Sequence, residues 1–76
     1  MLKTGKYRHY KGGLYEVLMT GLAETGHQEM VVYKSLEAND EYPAGSVWIR
    51  PLTEFTESVE WPDGSSRARF HRLLAD

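Results

Sequence analysis

Apolar and polar side chains alternate with a period of two in short runs along this chain. Each run is closed by glycine, proline or aspartate, the pattern of brief β-strands joined by turns. Tyr7 to Tyr10 is the first run, bounded by Gly5 and the Gly12-Gly13 pair. Leu14 to Ala23 is the second, with Tyr15, Val17 and Met19 on one face and Leu14, Glu16, Leu18 and Thr20 on the other. Neither face is cleanly polar, and Gly21 is the candidate bulge or corner. Glu24-Thr25-Gly26-His27 supplies a hairpin turn. Met30 to Leu36 is the third run, in which Met30 and Val32 alternate against Val31 and Tyr33, and its β-branched pair favours extended backbone.

From Glu37 to Gly45 the pattern breaks into an acidic loop holding Asn39, Asp40, Pro43 and Gly45. Ser46 to Arg50 is the fourth run. Val47 and Ile49 are expected inward and Trp48 and Arg50 outward, because the opposite register buries Trp48 only by turning Arg50 inward as well. Pro51 has no amide hydrogen and ends that ladder. Leu52, Phe55 and Val59 then recur at helical spacing, which predicts one helical turn plugging an open end with Leu52 and Phe55. Trp61-Pro62-Asp63-Gly64 is a turn, and Arg67 to Leu73 makes the last strand, Ala68 and Phe70 on one face and Arg69 and His71 on the other. Five short strands with one helical turn between the fourth and fifth predict a mainly β fold, a small closed or nearly closed barrel. Pairing of the two chain ends would hide its edges.

Seventy-six residues are near the lower limit for one hydrophobic core, so residues 1–76 are expected to form a single domain with little room for a deep cleft. No cysteine is present, which removes disulfides, thiolate nucleophiles and cysteine metal sites. Met1 to Lys11 has lysines but no apolar segment ahead of its tyrosines, and no stretch approaches the roughly 20 apolar residues of a membrane span, so the expectation is a cytoplasmic protein with no membrane association. The net charge of −2 hides a segregation. Lys3, Lys6, Arg8 and Lys11 near one end and Arg67, Arg69 and Arg72 near the other, the latter with Asp76, flank a middle that is mostly acidic. Paired ends would bring the cations onto one face, compatible with an anionic partner.

Tyr7-Arg8-His9-Tyr10-Lys11-Gly12 with Tyr15-Glu16-Val17, then Val31-Val32-Tyr33, Val47-Trp48-Ile49-Arg50-Pro51-Leu52 with Phe55, and finally Arg69-Phe70 resemble a small bacterial family of stand-alone short proteins catalogued as a domain of unknown function. The likeness runs over roughly residues 5 to 73, looser at Glu37 to Ala44 and Ser58 to Ser66. It implies a compact barrel of the SH3 type and no particular reaction.

The densest polar and aromatic constellation is Arg8, His9, Tyr10 and Lys11 near Trp48, Arg50, Arg69 and His71, and these are the candidate binding surface. Tyrosine and tryptophan offer large contact area with a polar handle, which suits a protein or peptide partner. The same residues contain the ingredients of a short single-stranded nucleic-acid or nucleotide site, with arginines and lysine for phosphates and Tyr10 and Trp48 for stacking. The acidic balance argues against long nucleic acid. Purely structural use, with arginine stems covering the wall, or a role in subunit assembly is the third reading, and an exposed strand edge would favour a homodimer.

Tyr7, Tyr15 and Tyr33 are read as wall rather than ligand contacts, and for Arg50 a bidentate bridge to a carboxylate such as Glu16 or Glu54 stands equal to a ligand contact. Gly12-Gly13 lacks the Lys-Ser/Thr of a phosphate loop. His9, His27 and His71 stand at unrelated spacings without a zinc signature, the serines have no nucleophile-elbow context, and Glu37 with Glu41 reads as solvated loop. No catalytic residue, metal or cofactor is therefore assigned, and an enzyme is the less favoured class.

Overall fold

The computed structural model describes residues 2–73. Asp76, counted above among the terminal charges, lies outside them. The strands are β1 (Gly5–His9), β2 (Leu14–Leu22), β3 (Glu29–Ser35), β4 (Val47–Pro51), β5 (Ser58–Glu60), β6 (Ser66–Ala68) and β7 (Phe70–Arg72), with the single turn α1 (Leu52–Phe55) between β4 and β5. An antiparallel sheet of five strands runs in the order β4-β3-β2-β1-β7, and β5 pairs with β6 in a separate two-stranded sheet.

Among the described residues no sheet closes, so the expected SH3-like barrel is not formed. The two chain ends do pair, Arg8 opposite His71 and His9 opposite Phe70, but closure also needs a strand joining β7 to β4. The run read as one final strand breaks at Arg69 instead. Its amide donates to the Glu57 carbonyl while its own carbonyl accepts from the Tyr10 amide, so the segment before it belongs to the hairpin and the segment after it to the large sheet. The Cα radius of gyration, 12.6 Å, exceeds the roughly 11 Å expected for the length, as an open sheet with a separate hairpin spreads wider than a closed barrel.

One face of the large sheet carries the core. Tyr7, Val17, Val31, Tyr33 and Phe70 are buried there, covered by Phe55 from α1, with Leu2, Tyr15, Trp48 and Leu52 packed around them. The helical turn thus lies over a sheet face rather than plugging a barrel end. It follows Pro51 as expected, and Thr56 returns its hydroxyl and amide to the Leu52 carbonyl.

Two facing expectations are reversed. In β4 it is Trp48 and Arg50 that turn to the core side, opposite Tyr33 and Val31, while Val47 and Ile49 stand 58% and 65% exposed. Arg50 tolerates this because its Nε donates to the Tyr33 hydroxyl at 3.3 Å and its Nη1 lies 3.7 Å from Glu54, so the charge keeps partners and a route to water. In β2 the register slips between Val17 and Met19, which puts Met19 opposite Val32 on the outer face; the irregularity is at Leu18 rather than Gly21.

Candidate functional site

The turn after β1 prepares one side of the site. The His9 amide donates to the Gly13 carbonyl at 2.8 Å, the Gly12 amide donates back to the His9 carbonyl at 2.8 Å, and Gly12 takes a φ of 107°. Within this turn the Lys11 amide donates to His9 Nδ1 at 3.1 Å, which leaves the proton of the neutral imidazole on Nε2. Gly13 has a separate reason: a Cβ there would lie 2.8 Å from Tyr15 Cε1, so the missing side chain lets the Tyr15 ring lie against the turn.

Strand pairing then assembles residues remote in sequence. His9 packs edge-on to Tyr15 and Phe70, and Tyr33 packs edge-on to Tyr15 and Phe70. Phe70 rests on Phe55 with ring centroids 3.9 Å apart. Trp48 and Arg50, two residues apart on the same face of β4, form a wall above this floor. The loop after β3 supplies a rim. Asn39 Oδ1 accepts from the amides of Glu41 and Tyr42, both at 2.8 Å, and the Tyr42 ring stands edge-on to Trp48 with centroids 4.7 Å apart. That loop is anchored at its far end, where the Ser46 hydroxyl donates to the Pro43 carbonyl at 2.7 Å and Gly45 N–H donates to the Ser35 carbonyl.

The result is an open cup of ≈ 240 Å³ lined by His9, Tyr15, Tyr33, Trp48, Arg50 and Phe70, with Asn39, Glu41 and Tyr42 at the rim. Its electrostatics are cationic. Burial, then the charges of Arg50, Arg69 and Lys11, push the His9 imidazole down to about 4, so the ring is neutral at physiological pH. Burial first, and then the neighbouring Tyr33, raise the Tyr15 hydroxyl, with Arg50 acting the other way. Behind the wall, Trp48 Nε1 is buried and has no hydrogen-bond partner among the described residues. Such an orphan in a native fold asks for an explanation.

A low imidazole pKa has a stability consequence. The folded value of about 4 lies below the ordinary 6.5, so the unfolded chain binds the proton more readily. His9 therefore contributes its full share above pH 6.5, and that share is lost as pH falls from 6.5 towards 4. A ring half open to water keeps only part of the nominal 1.4 kcal/mol per pH unit, leaving about 1–2 kcal/mol across the window. Urea melts at pH 7.5, 5.5 and 4 check this. His9→Asn, whose Oδ1 can replace Nδ1 as acceptor, should flatten the difference between pH 7.5 and 5.5, and an unchanged slope in that variant would assign it to other groups.

The candidate surface read from sequence is divided. His9, Trp48 and Arg50 come together in the cup. Tyr10, Lys11 and Arg69 flank it: the Arg69 guanidinium and the Lys11 ammonium each lie 5.7 Å from the Tyr10 ring centre, and Arg69 also donates to the Glu54 carbonyl and to Glu57. Arg8 and His71 pair across the outer face of the sheet, opposite to the cup, where Arg8 Nη1 donates to the Gly12 carbonyl at 2.9 Å. His9 and His71 are thus on opposite faces, and His27 is in the β2–β3 turn. Arg50 pairs with Glu54, one of its two candidate partners, while Glu16 pairs instead with Lys34 at 3.7 Å. Tyr7 is wall as expected, its hydroxyl donating to the Lys3 carbonyl, whereas Tyr15 and Tyr33 serve as both wall and cup lining. The rim residues were not singled out from sequence. Their signal was an asparagine suited to capping its own loop, followed by a lone tyrosine in an otherwise polar stretch.

A family model described as "Protein of unknown function (DUF1653)" matches residues 5–72. Among solved structures, the crystal structure of a protein belonging to that family from Bordetella bronchiseptica is similar to this chain. The two are 29% identical over 99% of this chain and 95% of the other, with a TM-score of 0.77. No curated protein matches.

Proposed function

This chain belongs to the DUF1653 family of proteins of unknown function, and from that premise we propose that it is a small binding module whose cup receives a peptide segment of a protein partner. The observation that carries this is the cup itself: aromatic walls with an arginine among them, on a hydrogen-bonded sheet, under a rim built by a self-capped loop. Large rigid aromatic rings provide contact area at low entropic cost, and a few placed donors provide orientation.

Extended nucleic acid is the weaker reading. Arg8, Arg67 and Arg69 are each engaged with a carbonyl or a carboxylate of the fold, so the cations do not form a continuous phosphate track. A second copy of the chain is the other partner with a specific feature in its favour, since β4 is an edge strand and carries exposed Val47 and Ile49. Among the described residues no helix is long and apolar enough to cross a membrane.

Selection of random 12-residue peptides with free C-termini on immobilised protein tests the proposal. Wild type should enrich a defined set of sequences, and Trp48→Ala should lose that enrichment at least tenfold while keeping its fold. Equal enrichment on both proteins removes the cup from the recognition surface.

A further inference from the structure

We infer that the cup takes the C-terminal residue of a partner chain, with its carboxylate on Arg50 and its apolar side chain against the Tyr15, Tyr33 and Phe70 rings. This rests on the cup being a peptide site. Aromatic walls alone admit three kinds of occupant: a quaternary ammonium group, a neutral internal peptide segment, or an anion with apolar substance. The polar groups among those walls choose between them.

Arg50 is a fixed cation within the lining, and Arg69 and Lys11 act on the same space through His9, so an ammonium group meets repulsion from several sides. Glu41 at the rim is the single carboxylate of the lining, and it stands with Asn39 and Tyr42 in the loop rather than on the sheet. The remaining hydrogen-bonding capacity is largely donor. Arg50 spends Nε on the Tyr33 hydroxyl, and its Nη1 pairs at 3.7 Å with Glu54, a residue 57% exposed whose hold on it is correspondingly weak. Nη2 meets no acceptor among the described residues. His9 carries its proton on Nε2 because Nδ1 is taken by the Lys11 amide. Acceptor oxygens bearing negative charge complement this set. A neutral internal peptide would leave the charge unused.

Size narrows the source. Clefts for cofactors and drug-sized ligands span roughly 300–1,000 Å³. The cup, at ≈ 240 Å³, falls below that range and suits one residue rather than a nucleotide. A chain terminus unites the two requirements, since its last residue presents a carboxylate and a side chain from one carbon. The preceding peptide group would leave over the rim, where the Asn39 side-chain nitrogen remains available because only its oxygen is committed to the loop.

The test uses the whole ¹⁵N-labelled chain and two probes that differ only at the terminus, carboxylate against carboxamide, N-acetyl-leucine and N-acetyl-leucinamide, at pH 7. The acid should shift the Trp48 indole and Arg50 Nε signals in a saturable way. The Trp61 indole, already bonded to the Ala68 carbonyl, serves as the internal reference. The amide should bind at least tenfold more weakly, and Arg50→Gln should weaken the acid to the level of the amide. Comparison of acid with amide on wild type needs no variant to fold. Equal binding of acid and amide, a larger response to tetramethylammonium, or silence of both leucine derivatives at tens of millimolar overturns the inference. If peptide selection still depends on Trp48 in any of those cases, the peptide reading stands and only the carboxylate assignment falls. If selection fails as well, both fall.

Discussion

Replacing Phe55 with alanine should leave the chain barely folded. Phe55 is 1% exposed and projects from α1 onto the sheet, where its ring stacks on Phe70 at 3.9 Å and meets Tyr7 and Tyr33 edge-on at 5.5 and 5.4 Å. Truncating a fully buried phenylalanine costs about 3–5 kcal/mol, from lost transfer energy and from a cavity that rigid neighbours cannot close. Here the neighbours are themselves aromatic rings pinned by strand pairing, so relaxation is poor. Against that stands a total stability of about 4–11 kcal/mol for a chain of this length, at 0.05–0.15 kcal/mol per residue. Urea unfolding should show the midpoint collapsing in Phe55→Ala and a much smaller loss, about 1–1.5 kcal/mol, in Phe55→Leu, which refills most of the volume. A loss below 1 kcal/mol in the alanine variant would mean that α1 is an ornament on the sheet rather than its cover. Because Phe55 supports Phe70, and Phe70 is floor to the cup, core and site are one structure here.

That unity explains which features were legible in the sequence. Turns were, because their chemistry is local: Glu24-Thr25-Gly26-His27 and Trp61-Pro62-Asp63-Gly64 carry the glycines that their backbone requires, at φ 79° and 87°. The alternation of Val31 and Tyr33 against Met30 and Val32 was visible for the same reason, as was the helical turn after Pro51. Facing in β4 was not. Val-Trp-Ile-Arg offers Val47 and Ile49 to one side and the large Trp48 ring with Arg50 to the other, and the deciding energy, the cost of an inward Arg50, depends on a Tyr33 hydroxyl and a Glu54 carboxylate that only the fold brings near. Closure failed for a related reason. Arg67 to Leu73 reads as one strand, and nothing local announces that the Arg69 amide will turn aside to Glu57.

The site itself was half visible. His9, Trp48 and Arg50 stood out by residue type, but their gathering depends on β4 facing the core, the very feature that the alternation left ambiguous. Arg8 and His71 stood out equally and pair on the opposite face, since neighbouring residues in a strand point to opposite sides. Clustering in sequence is therefore a poor guide within strands, whereas residues two apart, such as Trp48 and Arg50, share a surface. The loop from Glu37 to Gly45 was assigned to solvent by its composition, yet Asn39 folds it back over Trp48.

A second large loss is expected at Trp61, and it should be local where that at Phe55 is global. The β5–β6 hairpin shares no ladder with the large sheet, and a lone two-stranded hairpin is marginal in water. Trp61, only 8% exposed, is its buried anchor. Its Nε1 donates to the Ala68 carbonyl at 2.9 Å, and the Arg67 guanidinium lies 4.3 Å from its ring centre. The turn beyond is tied by Asp63, which accepts from the Ser65 hydroxyl and amide at 2.6 and 2.9 Å; these bonds hold its carboxyl below the usual range. Trp61→Ala should therefore cost about 3–5 kcal/mol by truncation of a buried indole. Trp61→Phe, which keeps a ring but strands the Ala68 carbonyl, should cost about 1–3 kcal/mol. Native-state hydrogen exchange separates local from global loss. In the alanine variant the hydrogen-bonded amides of the hairpin, Val59, Arg67 and Arg69, should exchange close to the unprotected rate while β2 and β3 remain protected. Arg69 sets the boundary, because its amide bond to Glu57 belongs to the hairpin side and its carbonyl bond from Tyr10 to the sheet side. Should protection fall evenly through β2 and β3 as well, the hairpin and the large sheet would be one cooperative unit, and the break at Arg69 would divide the geometry without dividing the stability.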